Sequence, residues 1–176
     1  RRRARCVWRH WKMMMTIALR PAIDADWPAM LRIVKPVLDA GETYAIDTNL
    51  GEDGVRAYWL MPAHEVFVAE IEGRIVGTYY LMANQAGGGA HVANCGYMTA
   101  PEARGQGVAR TMCLHSLEQA RQRGFRAMQF NHVVSTNVGA VALWQKLGFE
   151  IVGTLPKAFK HPAHGYVDSY VMFRAL

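Results

Sequence analysis

The 176-residue sequence has no long apolar run, few cysteines and no acidic residue before Asp24. A membrane-spanning helix needs about 18 apolar residues or more, so we expect no membrane partner. The three cysteines, Cys6, Cys95 and Cys113, form no CxxC pair, which argues against a disulfide framework and favours a reducing, cytoplasmic location. The seven histidines show no HxH or HxxxH pair, so we expect no metal site.

The positive charge is concentrated at the beginning of the chain. The formal net charge is +6, but six of the 20 basic residues lie within positions 1–12, which leaves 14 basic against 14 acidic residues afterwards. A neutral domain lacks the basic face that nucleic-acid binding needs. We therefore predict a basic extension over residues 1–15, either an artefact of upstream translation or an Arg-rich targeting segment, and one folded domain over residues 16–176.

Hydrophobic periodicity and turn residues predict the order αα, βββ, α, β, α, ββ, with one additional early strand at 16–20. The first helix is expected to run from Asp24 to about Leu38, with a kink or early stop at Pro36. A loop holding Pro156 and His161 is expected between the last two strands. The predicted helices are 24–38, 53–60, 108–124 and 137–147, and the predicted strands are 66–71, 74–82, 91–99, 126–134, 149–155 and 166–173. Such an order indicates a mixed α/β sheet, with at least one parallel pair around the long third helix.

A glycine-rich segment, Arg104-Gly-Gln-Gly-Val-Ala109, separates a predicted strand from the long helix. The glycines leave the backbone accessible to an anion, and the first amides of a helix have no internal partners and carry the positive end of its dipole. A pyrophosphate fits such a site, with Arg104 and Arg110 as counter-charges. The segment is neither a three-glycine dinucleotide fingerprint nor a P-loop.

The segment closely resembles the acetyl-CoA signature of the GNAT superfamily of N-acetyltransferases, which is met here by Arg104, Gly107 and Ala109. The family's second signature resembles the stretch from Asn137 to Phe149, Asn-Val-Gly-Ala-Val-Ala-Leu-Trp-Gln-Lys-Leu-Gly-Phe. The resemblance covers about residues 16–176. It implies a central, mostly antiparallel sheet flanked by helices and splayed between strands 91–99 and 126–134, where acetyl-CoA enters.

The resemblance also implies roles for individual residues toward acetyl-CoA, with no metal. The backbone at the end of strand 91–99 would bind pantetheine, and the glycine-rich segment would hold the pyrophosphate. Asn137 and Trp144 would face the distal pantetheine and the sulfur. The N–H of Met98 is the expected oxyanion donor. The expected acetyl-CoA-binding residues are Tyr97, Met98, Thr99, Arg104, Gly105, Gln106, Gly107, Val108, Ala109, Arg110, Asn137 and Trp144.

Trp144 stands where the family usually has a tyrosine that protonates the departing thiolate. An indole N–H donates a hydrogen bond but is not a proton source near neutral pH. A thiol pKa of about 8.5 makes thiolate a tolerable leaving group without that acid. Together with this tryptophan, the stretch Asn131-His-Val-Val-Ser-Thr-Asn137 resembles one branch of the family, which includes an acetyltransferase that acts on proline analogues such as azetidine-2-carboxylate.

In that branch two strand asparagines lie at the substrate amine, and Asn94 and Asn131 are the matching positions. Amides cannot take a proton, but they can orient the amine or a water molecule. The alternative is that both asparagines only satisfy backbone groups at the splayed strands. Alternation along a strand would direct His132 away from Asn131 and against a helix. Tyr44 and Asp47, in the loop between the first two helices, are expected at the acceptor side.

Together these features predict an acetyl-CoA-dependent N-acetyltransferase that acts on a small amine by direct transfer in a ternary complex, without Cys95 as a covalent carrier. The expected acceptor is an amino acid or a proline-like analogue, and a homodimer is possible. The alternatives are a protein or peptide acetyltransferase, a non-catalytic CoA-binding protein, and a nucleic-acid-associated regulator that uses the basic extension.

Overall fold

Seven strands and four helices follow one another in the predicted order. The computed structural model describes residues 16–176, so the predicted extension 1–15 lies outside the described residues. The helices are α1 (Trp27–Ala40), α2 (Glu52–Trp59), α3 (Val108–Gln122) and α4 (Val138–Lys146). The strands are β1 (Ile17–Pro21), β2 (Glu65–Ile71), β3 (Arg74–Ala83), β4 (Val92–Thr99), β5 (Ala127–Val134), β6 (Glu150–His161) and β7 (Gly165–Ala175). Within this range no helix is both long and apolar enough to cross a bilayer.

The strands form one sheet in the order β1-β2-β3-β4-β5-β7-β6. Every neighbouring pair is antiparallel except β4 and β5. The parallel pair requires a crossover connection, which α3 provides. The predicted mixed and mostly antiparallel sheet is therefore confirmed.

Alternation along β3 assigns the two faces of the sheet to different helices. On one face, Thr78 bonds the indole of Trp59 in α2, with Nε1 and Oγ1 3.2 Å apart. On the other face, α3 packs so closely that a Cβ on Gly77 would lie 2.8 Å from Cγ1 of Val108. Residues of β3 with even numbers thus face α1 and α2, and those with odd numbers face α3.

The expected early stop at Pro36 is wrong, because α1 continues through this proline to Ala40. Gly41 ends the helix in a left-handed conformation, with φ of 63°, and its N–H bonds the carbonyl of Leu38. One side of α1 is fully buried against the sheet, and this packing outweighs the hydrogen bond that a proline lacks. Its buried residues are Trp27, Met30, Ile33, Val34 and Leu38.

The predicted loop between the last two strands is also wrong, since β6 extends to His161 and a tight turn joins it to β7. Pro156 lies in a bulge, where the pairing shifts from Leu155–Ser169 to Phe159–Val167. The bulge is possible because β6 is an edge strand of the described sheet, where a missing N–H breaks no ladder.

Arg20 connects the first strand to the beginning of α1 and to β2. Its guanidinium binds both carboxylate oxygens of buried Asp26, at 2.7 and 2.9 Å, and also bonds Glu70. Asp26 additionally accepts the N–H of Ile23 at 2.9 Å. The bonds from Arg20 lower the pKa of Asp26 below its ordinary value of 3.8, against the opposing effect of burial.

Replacing Asp26 with asparagine should lower the free energy of unfolding at pH 7 by about 1–3 kcal/mol, because charge-assisted hydrogen bonds to Arg20 are lost. A depressed pKa stabilises the fold above the unfolded-state value and loses that effect as the pH falls through the folded-state value. The difference between wild type and Asp26→Asn should therefore shrink as the pH falls below 3.8. Urea unfolding at several pH values measures it.

The matched control is Asp39→Asn, because Asp39 pairs with Lys35 on the exposed side of α1. That change should cost less than about 0.5 kcal/mol. An equal effect of both substitutions would contradict the anchoring role of Asp26.

Candidate functional site

The two parallel strands separate soon after they meet. β4 and β5 pair only through Val92–Ala127 and Ala93–Met128. We call the point after Ala93 and Met128 the fork. A cavity of about 1090 Å³ opens from it and is bounded by the glycine-rich segment, α4 and the loop after α1. The predicted splay of the sheet is thus present.

The backbone of β4 alternates between its neighbour and the cavity. The carbonyl of Val92 accepts the N–H of Asn84, and the N–H of Ala100 bonds the carbonyl of Val76, both at 2.8 Å. Even-numbered residues therefore direct their backbone groups toward β3. The carbonyl of Tyr97, by contrast, accepts the hydroxyl of Tyr44 at 3.0 Å on the open side.

This alternation is not compatible with the expected oxyanion role of Met98. Met98 pairs with Thr78 of β3, so its N–H is used within the antiparallel ladder. The backbone N–H groups of β4 that face the opening belong instead to Cys95, Tyr97 and Thr99. The sequence identifies the strand, but only its register decides which residues face the cavity.

A stack of three layers lies beside these amides. Gly96 pairs with Tyr80, and a Cβ on Gly96 would lie 2.5 Å from Cε1 of the Tyr80 ring. The ring therefore lies directly against the backbone of β4, which only glycine permits. The imidazole of His64 stacks on the ring of Tyr80, with ring centroids 3.8 Å apart and planes inclined by 2°.

His64 has a defined tautomer because of the turn that carries it. A β-turn with Pro62 in its second position brings His64 back to the end of α2, where Nδ1 lies 3.0 Å from the carbonyl oxygen of Trp59. A carbonyl only accepts, so Nδ1 carries the hydrogen and Nε2 carries the lone pair. Burial lowers the pKa of His64 below 6.5, against the opposing effect of the bond to Trp59, and this favours the neutral ring at pH 7.

Three asparagines meet at the fork together with one glutamine. Nδ2 of Asn94 donates to the backbone carbonyl of Gln129 at 3.1 Å and to Oδ1 of Asn84 at 3.2 Å. Asn131 donates to the same Oδ1 at 2.6 Å and accepts from Nε2 of Gln129 at 2.8 Å. We call these four residues the amide cluster. Its three asparagines line the cavity.

Asn94 thus satisfies a backbone carbonyl and lines the cavity at the same time. Because a carbonyl can only accept, its bond with Gln129 fixes which end of the Asn94 amide is nitrogen. Oδ1 of Asn94 has no hydrogen-bond partner among residues 16–176.

His132 lies in a bulge of β5 and does not pack against a helix as expected. The pairing of β5 with β7 shifts between Phe130 and Val133, so Asn131 and His132 both line the cavity. Nδ1 of His132 lies 2.9 Å from Oγ of Ser169 on β7. A bulge breaks the alternation on which the expectation rested.

The glycine-rich segment wraps around the other end of the cavity. Gly105 and Gly107 have φ of 75° and 83°, in the left-handed region that favours glycine, and Gly107 immediately precedes α3. The cavity-lining residues of this segment are Arg104, Gly105, Gly107, Val108, Ala109 and Arg110. Gln106 does not line it, because its side chain bonds the carbonyl of Glu102 at 2.9 Å.

Both expected residues of the second signature line the cavity. Asn137 caps α4, where its side-chain oxygen accepts the N–H of Ala140 at 3.4 Å. The ring of Trp144 is 8% exposed and packs between Tyr97 and Phe130, with centroid distances of 5.1 and 5.3 Å.

Of the two loop residues expected at the acceptor side, only Tyr44 lines the cavity. Its hydroxyl bond to Tyr97 fastens the loop to β4, and burial raises its pKa so that the phenol stays protonated. Asp47 lies outside the cavity lining, and its carboxylate accepts the N–H of Asn49 at 2.8 Å.

Sequence reasoning missed two residues of the site, His64 and Asn84. His64 follows a Met-Pro-Ala turn, and Asn84 follows the last residue of β3. A turn and a strand end are weak signals. Within the described part of the chain, no three His, Cys, Asp or Glu side chains form a potential metal site.

Known proteins resemble the chain in sequence and in fold. Residues 27–149 match the sequence model of the acetyltransferase (GNAT) family. The N-acetyltransferase aca1 of Schizosaccharomyces pombe is 27% identical over 151 residues, which cover 76% of this chain and 72% of the yeast protein. A GCN5-related N-acetyltransferase from Kribbella flavida has a structure with a TM-score of 0.87 and 46% identity, covering 91% of this chain and 98% of that one.

A phosphinothricin acetyltransferase from Sinorhizobium meliloti, solved in complex with AcCoA, shares the fold with a TM-score of 0.80 at 24% identity, over 92% of this chain and 89% of that one. The family match spans both signatures, α1 and the forked strands. The chain therefore belongs to the acetyltransferase (GNAT) family and is an acetyl-CoA-dependent N-acetyltransferase.

Proposed function

We propose that this acetyltransferase acts on the amine of a small molecule, an amino acid or a proline-like analogue, by direct transfer in a ternary complex. The observation that carries the proposal is the hydrogen bond from Tyr44 to Tyr97. It fastens the loop after α1 to β4, so that Glu42, Thr43, Tyr44 and Ala45 form one wall of the cavity. A small molecule fits a pocket that is covered on this side better than a peptide does.

The glycine-rich segment is suited to the pyrophosphate of acetyl-CoA. The first amides of α3 have no internal partners, the helix dipole favours an anion there, and Arg104 and Arg110 line the same end of the cavity. The N–H groups of Cys95 and Tyr97, which face the opening, are the donors available to the acetyl carbonyl and the pantetheine arm.

The amide cluster suits the acceptor amine. The unpartnered Oδ1 of Asn94 can accept an N–H of the amine, and Asn131 lies one hydrogen bond away through Asn84. This arrangement would orient the nitrogen lone pair toward the thioester, which is the largest contribution that positioning residues make. The two matching asparagines of the proline-analogue branch support the choice of acceptor.

Direct transfer is favoured over a cysteine carrier by the surroundings of Cys95. Its thiol is buried, and burial raises its pKa to about 12. Only the thiolate is nucleophilic, so this sulfur is a poor acetyl acceptor near neutral pH.

The acceptor class is tested by the release of free CoA thiol from acetyl-CoA with amino acids, proline analogues, polyamines and short peptides, using the full chain. We expect a small amino acid or proline analogue to stimulate turnover. Stimulation by peptides alone would instead identify a protein acetyltransferase and contradict the covered-pocket argument.

Gly107→Glu should weaken acetyl-CoA binding by about 100-fold or more. Two like charges 4 Å apart repel by about 4 kcal/mol in a partly shielded site, and each tenfold in Kd corresponds to about 1.4 kcal/mol. Isothermal titration calorimetry measures the change. Gly124→Glu is the matched control, because Gly124 has φ of 81° and open space around its Cα at the other end of α3. Unchanged affinity in Gly107→Glu would remove the pyrophosphate site from the glycine-rich segment.

Cys95 and Cys113 should resist alkylation in the folded protein. Burial raises the pKa of each thiol to about 12, so only about 1 in 10,000 is thiolate at pH 8. Mass spectrometry after iodoacetamide treatment should find both unmodified, and both modified after unfolding in urea. An S-acetylated Cys95 peptide, formed with acetyl-CoA alone, would overturn direct transfer.

A further inference from the structure

On the basis of the proposed function, we propose that His64 is the general base that removes the proton from the acceptor ammonium before its nitrogen attacks acetyl-CoA. An aliphatic ammonium has no lone pair, so a proton must leave before the N–C bond can form. None of the expected site residues near the amine can take it, because the side chains of Asn94 and Asn131 are neutral amides.

Three of the side chains that line the cavity carry a carboxylate or an imidazole: Glu42, His64 and His132. Glu42 is exposed in the loop after α1. His132 shares its Nδ1 with the hydroxyl of Ser169, which can donate or accept, so its tautomer is not fixed. His64 alone has its Nδ1 hydrogen held by a carbonyl, and its Nε2 lone pair is therefore permanently available.

The aromatic stack places this imidazole beside the reacting centre. Tyr80 lies against the backbone of Gly96, and His64 stacks on the ring of Tyr80. Gly96 is flanked by Cys95 and Tyr97, whose N–H groups face the opening. The ring of Tyr80 thus contacts both His64 and the segment that would receive the thioester carbonyl, and His64 lines the same cavity as Met82 and Asn84.

His64 also lines a second, smaller cavity. This cavity has a volume of about 210 Å³ and is lined by Ala22, Ile23 and Asp24 as well. The imidazole therefore lies between two cavities and is not enclosed by the core.

The reaction begins with the transfer of one proton from the acceptor ammonium to His64. An N–H bond of the ammonium breaks as an Nε2–H bond forms on His64. The amine lone pair then forms the N–C bond with the acetyl carbon, and the C–S bond breaks with its electron pair on sulfur. The remaining excess proton on nitrogen passes to the thiolate, which gives the amide and free CoA thiol, and His64 returns its proton to water.

The groups that contact His64 stay neutral, and the nearby carboxylates have basic partners. Tyr58 of α2 and Tyr80 of β3 contact the ring, and burial raises both of their pKa values, so they stay neutral. At the smaller cavity, Asp24 lies 3.5 Å from Arg56. The adjacent Glu65 is paired with Arg123.

Glu42 and His132 are the other titratable groups at the acceptor end. If His64 is the base, kcat/KM of the wild type should fall on the acid side as His64 becomes protonated. This fall should occur at a pH below 6.5, because burial lowers the pKa of His64.

The test compares kcat/KM as a function of pH for wild type and His64→Gln, with the best amine from the acceptor panel. Wild type should reach a plateau between the pKa of His64 and that of the amine. His64→Gln should lose about 100- to 10,000-fold at pH 7. Its rate should rise tenfold for each pH unit up to the pKa of the amine, because only the free amine then reacts.

His115→Gln is the matched control. Like His64, His115 is half-buried, has a pKa that burial lowers and contacts a tyrosine, with Nδ1 2.6 Å from the hydroxyl of Tyr79, but it lies on α3 and does not line the cavity. Its substitution should leave the pH profile unchanged. A wild-type profile in His64→Gln, or the same shift in both variants, would overturn the assignment.

Nitrogen-15 NMR of histidine-labelled wild type tests the geometry without relying on the variant's stability. The assignment requires a neutral His64 with hydrogen on Nδ1 at pH 7, and a hydrogen on Nε2 would overturn it. Failure of the proposed function is distinguishable, because wild type would then turn over no amine in the panel although its His64 tautomer could still be observed.

Discussion

The separation of β4 from β5 is the constraint on which the rest of the structure depends. Two parallel pairs join the strands, and then the ladder ends with backbone groups on both sides that need partners. Asn94 meets this need on β5 by donating to the carbonyl of Gln129. The free groups of β4 are left to the cavity, which is the proposed meeting place of the acetyl donor and the acceptor. One side chain therefore ends a sheet ladder and begins a binding site.

Side chains along β3 alternate between the two faces of the sheet, and this alternation divides the remaining functions between those faces. Odd positions of β3 pack under α3, which begins at the glycine-rich segment, whereas even positions face α1 and α2. Tyr80 is the even residue that reaches across to β4, and it does so because position 96 is glycine. The proposed chemistry follows this division, with anion binding at a helix N-terminus and proton removal on the opposite face of the sheet.

The sequence predicts those parts of the site whose chemistry is local. Gly107 and Asn137 begin helices within recognisable motifs, and the order of elements follows from periodicity and turns. His64 and Asn84 were missed because long-range pairing places them, and Met98 was misassigned because strand register decides which amides are free. The errors at His132 and at the predicted loop after Leu155 share one cause, since each lies at a bulge that hydrophobic alternation does not reveal.

The bulge in β6 also affects whether this sheet can pair edge to edge with a second sheet. An edge strand of 12 residues offers a row of unused N–H and C=O groups, and several of its apolar side chains are exposed. Pro156 removes one donor from that row. Lys157, at φ of 51°, turns the backbone out of the extended conformation, and its N–H bonds Asp168 of β7. A second extended strand could therefore follow this edge only in short stretches, which disfavours edge-to-edge pairing between copies of the chain.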